Sequence, residues 1–258
     1  MLAPLTLFLA LAAPADPKAP TPAEKALQSG LLALERDRFD EAVGQLELSL
    51  RLDPRLAEAH LSLAAAHLAL GQDRLAAPHL GAYLDARPGH FLARMPYAEL
   101  LTKLDRLPEA RAQLDRFIAD AQDHPRVADE HLIASHTKLM EIATSGGDEY
   151  TERLHRGIGL YLLAVKRRQL GGTDAARLAE ELLCKSAGEL TMARLRRPHE
   201  ARPSLYVHGV WRELGQRQPA ERSLREAEGL AGLSYLTPDE TRRLHLAATL
   251  RELEQAKR

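Results

Sequence analysis

Eleven histidines and a single cysteine are the side chains of this 258-residue chain best able to do chemistry. His60 and His67 are seven apart, which places them near one face of a helix, and His131 and His136 lie close together in sequence. A zinc-hydrolase helix presents histidines at i and i+4 with a neighbouring carboxylate, and neither pair has that arrangement. They read as packing residues with a satisfied hydrogen bond, and no metal or cofactor is assigned. Cys184 follows Leu182 and Leu183 on a predicted helix; with no motif nearby that favours a thiolate, it reads as a small buried or half-buried hydrophobe. Alone it can make no intrachain disulfide, which suits either an oxidising or a reducing compartment. Gly146-Gly147 and Gly171-Gly172 have no preceding strand and read as helix stops, not as phosphate cradles. No nucleophile elbow is present, and the carboxylates are scattered at helix-surface spacing. The chemistry-bearing residues therefore do not converge on a catalytic set.

The elements that carry them are helices. Leucine, alanine and arginine dominate, aromatics are 4%, and β-branched residues are sparse, the propensity profile of an all-α chain. A hydrophobic share of 45% is ample for a buried core. Lysine plus arginine (35) and aspartate plus glutamate (36) nearly cancel, so no bulk field is available to hold nucleic acid or an anionic membrane. The balance is −4 through Asp129 and +3 beyond it. Arg153, Arg156, Lys166, Arg167, Arg168, Arg194, Arg196 and Arg197 carry the second figure. Glutamates interleave with them, as on a solvated helix face.

Met1 to Ala15 contains no charged side chain, and the apolar run Leu5 to Ala13 is too short to span a bilayer. Ala13-Pro14-Ala15 supplies a small-x-small cleavage pattern, so residues 1–15 are expected to be a secretory signal, followed by a Pro/Ala-rich linker over 16–21. The expected location is exported, periplasmic or secreted, and cytoplasmic if the run is not a signal. No cysteine follows it, so no lipid anchor is indicated, and no stable membrane anchor is expected after signal removal.

Self-similarity is the strongest pattern. Ala42, Ala76 and Ala110 recur every 34 residues, as do Leu46, Leu80 and Leu114, the series Ser49, Tyr83 and Phe117, and the prolines Pro54 and Pro88. Gly30, Ala64 and Ala98 keep the same register. Each unit is then two amphipathic helices whose small residues let the backbones approach closely, and successive units must stack to bury a continuous core. The pattern resembles the tetratricopeptide repeat, with its small residue at position 8, alanine at 20, leucine or aromatic at 24, small residue at 27 and proline at 32. The composition suggests a bacterial exported member. The resemblance implies a right-handed α-α superhelix with three tandem repeats over 22–125.

Helix ends agree. Thr21-Pro22-Ala23-Glu24 and Thr237-Pro238-Asp239-Glu240 each combine a hydroxyl N-cap, proline at the first turn and a glutamate that completes a capping box. Asp53-Pro54 is expected to make a similar start. Over 126–200 the period decays into longer helices, expected at Val127–Thr144, Glu149–Gln169 and Asp174–Arg194. The pattern returns over 201–258, where Leu214, Gly215, Gln216, Ala220 and Leu224 match Leu70, Gly71, Gln72, Ala76 and Leu80. His208 stands there at the small position 8, which opposes close packing, and Trp211 falls at a core position. The last helix, Asp239 to Lys257, is expected to cap the stack with Leu244, Leu246, Leu250 and Leu253.

The resemblance also implies a partner-binding groove lined by positions 2, 5, 9, 12 and 13 of each first helix. These are Glu24, Leu27, Leu31, Leu34 and Glu35; Glu58, Leu61, Ala65, Leu68 and Ala69; and Leu92, Met95, Glu99, Thr102 and Lys103. Lysine at 5 and asparagine at 9, which clamp a C-terminal carboxylate in this family, are absent. The groove is expected to be apolar, with Leu27, Leu31, Leu34, Leu61, Ala65, Leu68, Met95, Glu99 and Thr102 meeting another protein or peptide that has an apolar or amphipathic face. Against this stands self-coverage, since large exposed apolar patches are rare on monomers. The leading reading is a non-catalytic adaptor or assembly scaffold. An obligate structural subunit of a larger envelope complex or a self-assembling solenoid comes second, a homo-oligomer being compatible with it, and an enzyme is a distant third.

Overall fold

The computed structural model describes residues 19–121, 128–172 and 174–256. The chain is all-α. Among the described residues there are twelve α-helices and one 3-10 turn, and no strand. The signal-like run lies outside the described residues, as do Val127, expected to begin a helix, and Lys257. The chain divides into two compact units, Met1–Gln113 and Leu114–Arg258.

The first unit holds α1 (Pro22–Glu35), α2 (Phe39–Leu52), α3 (Ala57–Ala69), α4 (Asp73–Ala86), the 3-10 turn Phe91–Ala93, α5 (Arg94–Lys103) and the start of α6 (Leu107–Ala121). α1 with α2, and α3 with α4, form antiparallel hairpins, and α2 packs on α3. The capping box at Thr21 is complete: Glu24 N–H donates to Thr21 Oγ1 at 3.2 Å and Thr21 N–H to Glu24 Oε2 at 2.7 Å. Asp53 acts differently from the expectation. Its carboxylate accepts from Arg55 N–H in a turn, and α3 begins only at Ala57.

Each hairpin turns through one residue in the left-handed region: Asp37 (φ 56), Gly71 (φ 71) and Asp105 (φ 58). Aspartate tolerates that region because its short polar side chain bonds locally, whereas a β-branched residue would strain there. Inside the hairpins the repeated small residues are sealed. Ala42, Ala64, Ala76, Ala98 and Ala110 are fully buried. A Cβ added to Gly30 would stand 2.6 Å from Leu46 Cγ, so this contact exists only because position 8 has no side chain. Ser49, at position 27, donates its hydroxyl to Ala23 C=O at 2.8 Å and ties α2 back to the start of α1.

The second unit contains α7 (Asp129–Ser145), α8 (Glu149–Leu170), α9 (Ala175–Arg196), α10 (Ala201–Glu213), α11 (Arg217–Leu230) and α12 (Pro238–Ala256). α8 packs along both α7 and α9. The α8–α9 pair is a repeat in disguise. A Cβ on Gly157 would lie 2.6 Å from Leu190 Cγ, the approach Gly30 makes to Leu46, and Ser186 Oγ donates to Gly157 C=O at 2.7 Å. Pro198 follows Leu190 at the interval by which Pro54 follows Leu46. The two helices have 22 residues each where α1 and α2 have 14, and the extra turns hide the period.

The α10–α11 hairpin turns through Gly215 (φ 69), as the shorter ones turn through Gly71. His208 does not prevent close packing. It is buried, and its Nδ1 N–H donates to Ala220 C=O at 2.9 Å, so an imidazole takes the place of the small residue by bonding the facing backbone. Trp211 is half-buried against the α8–α9 core.

The terminal helix packs on the α10–α11 hairpin, but with one leucine instead of the four expected. Only Leu244 of its four leucines is buried, in a cluster with Leu205, Leu224 and Ala227, while Leu246, Leu250 and Leu253 are exposed. α12 is held at its N-terminal end instead. Thr237 and Glu240 form a buried capping box, and Glu240 Oε1 accepts from Arg202 Nε of α10 at 2.9 Å. Cys184 is a further correction. It is exposed, because Leu183 takes the inward position on α9 and the next side chain points away.

Candidate functional site

The nine groove residues singled out from the sequence lie on α1, α3 and α5 of the first unit. Leu27, Leu31, Leu34, Leu61, Ala65, Leu68, Met95 and Thr102 are half-buried, and Glu99 is exposed. None belongs to the buried core. Leu27 and Leu34 rest on the cluster formed by Ala33, Ala42, Leu46, Leu63 and Ala66, so one side of each is anchored and the other remains at the surface. Thr102 is less available than its position suggests, since its hydroxyl donates to Ala98 C=O of its own helix at 2.8 Å.

The same repeat positions in the second unit are in a different state. On α8, taken from Gly157 as position 8, they are Thr151, Leu154 and Ile158, all buried at 2% exposure or less, and Tyr161 and Leu162, both half-buried. On α10 they include Leu205, also buried, and Gly209, where an added Cβ would meet Tyr161 Oη at 3.1 Å. Position 5 is buried on both α8 and α10 and position 9 on α8, whereas in the first unit position 5 is half-buried throughout and position 9 is half-buried or exposed; position 12 is half-buried on α8 as it is on α1 and α3. Half-buried leucines in a row along neighbouring helices gain by excluding water when something apolar is laid on them.

Charges fringe this face in fixed pairs. Glu58 Oε1 accepts from Arg87 Nη2 at 2.5 Å, and Lys103 pairs with Asp73. The basic side chains of the second unit are likewise engaged: Arg153 with Glu189, Arg156 with Glu152, Lys166 with Glu130, Arg168 with Glu213 and Arg194 with Glu226. Exposed pairs of this kind contribute about 0–1 kcal/mol each and serve mainly to cancel the local field.

The histidines form two clusters that spacing along one helix does not reveal. His60 of α3 meets His79 of α4, with Nδ1 atoms 3.0 Å apart, and His67 stacks on the His79 ring at 5.9 Å. His60 Nε2 bonds Pro54 C=O, and His67 Nδ1 bonds Gln72 Oε1 at 2.7 Å. Burial, then the neighbouring imidazoles of His60 and His67, hold the proton affinity of His79 below the usual histidine range. The parallel His67 and His79 rings do not converge on one point. Among the described residues no group of three or more His, Cys, Asp or Glu side chains is arranged to hold a metal. His131 is exposed and His136 buried; the partner of His136 is His155 of α8, with Nδ1 atoms 2.8 Å apart. Both cross-helix pairs are 19 residues apart, a spacing legible in the sequence once α3–α4 and α7–α8 are set in one register.

Among the described residues no helix is long and apolar enough to cross a membrane. No curated protein matches the chain. Solved structures match the chain at low identity. The crystal structure of MamA protein is 16% identical, covering 80% of this chain and 89% of that one with a TM-score of 0.42. The Pseudomonas aeruginosa pilF structure is 17% identical, covering 81% and 91% with a TM-score of 0.40. YrrB, described as a TPR protein with an unusual peptide-binding site, is 13% identical, covering 88% and 92% with a TM-score of 0.37. The family model described as tetratricopeptide repeat matches residues 74–129, the stretch that runs from α4 through α6.

Proposed function

We propose that this chain is a non-catalytic protein-interaction module, an adaptor or assembly scaffold, that binds another polypeptide on the apolar face of α1, α3 and α5. One observation carries the reading: Leu27, Leu61 and Met95 at position 5 and Leu31 at position 9 are half-buried at the surface, while Leu154 and Leu205 at position 5 and Ile158 at position 9 are buried inside the second unit. The tetratricopeptide-repeat match over 74–129 is consistent with it. The partner presents an apolar or amphipathic segment, since the face offers area to desolvate and no clamp for a terminal carboxylate. Met95 adapts that face to different side-chain shapes. The uncharged run Leu5 to Ala13 supports export, which places the partner in the bacterial envelope or outside the cell.

A second reading, an obligate subunit of a larger assembly, draws on a different surface. Leu233 and Tyr235, in the connection before α12, and Leu246, Leu250 and Leu253 on it are all exposed. Apolar area of this extent is unusual on a free monomer.

The test uses the chain from Asp16 onward, with a Leu31→Glu/Leu61→Glu double variant whose helicity is checked by circular dichroism. A panel of amphipathic helical peptides, together with envelope extract, is offered to both. Retention of a specific peptide and protein by the wild type, with loss by the folded variant, supports the groove. Equal retention by both rejects it. Retention that responds instead to Leu246→Glu/Leu253→Glu moves the working surface to α12.

A further inference from the structure

α7 turns into α8 through Gly147 (φ 69) and packs along it, while α8 also makes the repeat-type contact with α9 through Gly157 and Leu190. α7 lies on α8 by three kinds of contact. Leu132, Leu139, Ile142 and Ala143 make a buried apolar stripe. Glu130 pairs with Lys166 near the far end of α8. Between them His136 meets His155, both at 2% exposure or less, with their Nδ1 atoms 2.8 Å apart.

That separation is a hydrogen bond between two atoms of the same kind, so one Nδ1 carries the proton and the other accepts it. The bond exists only while one of the two Nδ1 atoms is bare. A proton on the second Nδ1 points N–H at N–H and leaves an imidazolium in the buried pair, and protonation of both rings places like charges side by side. The other charges facing His136 aggravate this. Arg202 reaches towards it from α10 and Arg243 from α12, each ion-paired in turn, with Glu240 and Asp239. No carboxylate of α7 compensates: Glu130 is engaged by Lys166, and His131 beside it is exposed.

We propose that the buried His136–His155 pair is an acid-sensitive latch that holds α7 on α8, so that α7 releases as a local unit on acidification while the α10–α11 hairpin remains folded. The inference does not depend on the groove reading. Burial is the largest cause, with Arg202 and Arg243 behind it, of a His136 proton affinity pushed down to about 3. A histidine whose affinity is lowered in the packed state contributes stability that is present above the free value of about 6.5 and is lost as pH falls below it. Each histidine that takes up a proton on release therefore raises the opening constant about tenfold per pH unit below that value. Release bares Leu132, Leu139 and Ile142 of α7.

The experiment is hydrogen–deuterium exchange of the full chain from pH 7.5 to 4.5, corrected for intrinsic exchange. Protection of the α7 amides is expected to fall by roughly tenfold or more per pH unit below about 6.5, with α10–α11 still protected. Constant α7 protection, or a fall shared equally with α10–α11, overturns the latch. In a His136→Leu/His155→Leu variant the α7 slope should vanish, and a retained slope overturns the assignment. Should that variant not fold, Lys166→Met decides the matter. It removes the Glu130 pair and leaves the histidines, so a retained slope supports the latch and a lost slope assigns the response to Glu130.

Discussion

Gly157 and Leu190 repeat between α8 and α9 the contact that Gly30 and Leu46 make between α1 and α2, with a Cβ on either glycine 2.6 Å from the leucine Cγ. The clashing atom is the branch point of a buried leucine, not the end of a flexible chain, so it cannot yield without repacking. Gly157→Ala is expected to lower stability by about 1–3 kcal/mol in denaturant unfolding, as overpacking does in other cores. Combining Gly157→Ala with Leu190→Ala should cost less than the two changes summed, because the second relieves the clash made by the first. Simple additivity in that cycle would mean that the two residues do not share a contact.

Arg202 and Glu240 bind α10 to α12 inside the second unit, where the Glu240 side chain has no exposure. Glu240→Ala removes the carboxylate from a buried guanidinium and half of the Thr237 capping box. The expected loss is about 3–5 kcal/mol, read by urea unfolding, because the cost is that of leaving a charge unpaired. Replacing both by Arg202→Met/Glu240→Leu should recover most of it. A double variant no better than Glu240→Ala would show that the cap, not the ion pair, carries the effect.

Tyr150 is buried at the start of α8, and the Arg197 guanidinium lies 4.2 Å from the centre of its ring. Burial first, then the carboxylate of Glu200, pushes its phenol up to about 12. A raised phenol favours the protonated form in the fold, so its contribution to stability is present below pH 10 and is lost as pH rises from 10 through 12. Burial raises the phenols of Tyr83, Tyr97, Tyr161 and Tyr206 as well, so an ultraviolet difference titration of wild type against Tyr150→Phe should show one tyrosinate fewer forming near pH 12. An unchanged titration in that variant would refute the assignment.

Cys184 points away from the α8–α9 core. A disulfide reagent such as dithionitrobenzoate should therefore modify one thiol per chain in the native protein, at a rate little changed by denaturant. A thiol that reacts only after unfolding would place the side chain inside.

Much of the fold was legible because its determinants are local. The capping boxes at Thr21 and Thr237 need only two residues three positions apart to be right, and each hairpin turn needs one residue that tolerates the left-handed region. The 34-residue spacing of Ala42, Ala76 and Ala110 follows from helices of constant length. The α8–α9 repeat is hidden from the 34-residue period because lengthening each helix by about two turns leaves its close contact intact while changing the spacing of the two residues that make it. Cys184 was placed inward because a leucine-rich helix has no marker of which apolar residue faces the core. The cap role of Leu246, Leu250 and Leu253 failed for the same reason: an amphipathic stripe shows that a helix has an apolar side, not that a neighbour covers it.

What the sequence alone determined, then, is the class of element and where helices begin and turn; the groove row of the first unit is what the family resemblance implies. Only the tertiary structure decided that Leu27, Leu61 and Met95 stay at the surface while Leu154 of α8 and Leu205 of α10, at the same repeat position, are buried. It alone joined His136 to His155 and Arg202 to Glu240. Spacing along the chain sets the direction in which a side chain leaves its own helix; what it meets there depends on the lengths and crossings of helices many residues away.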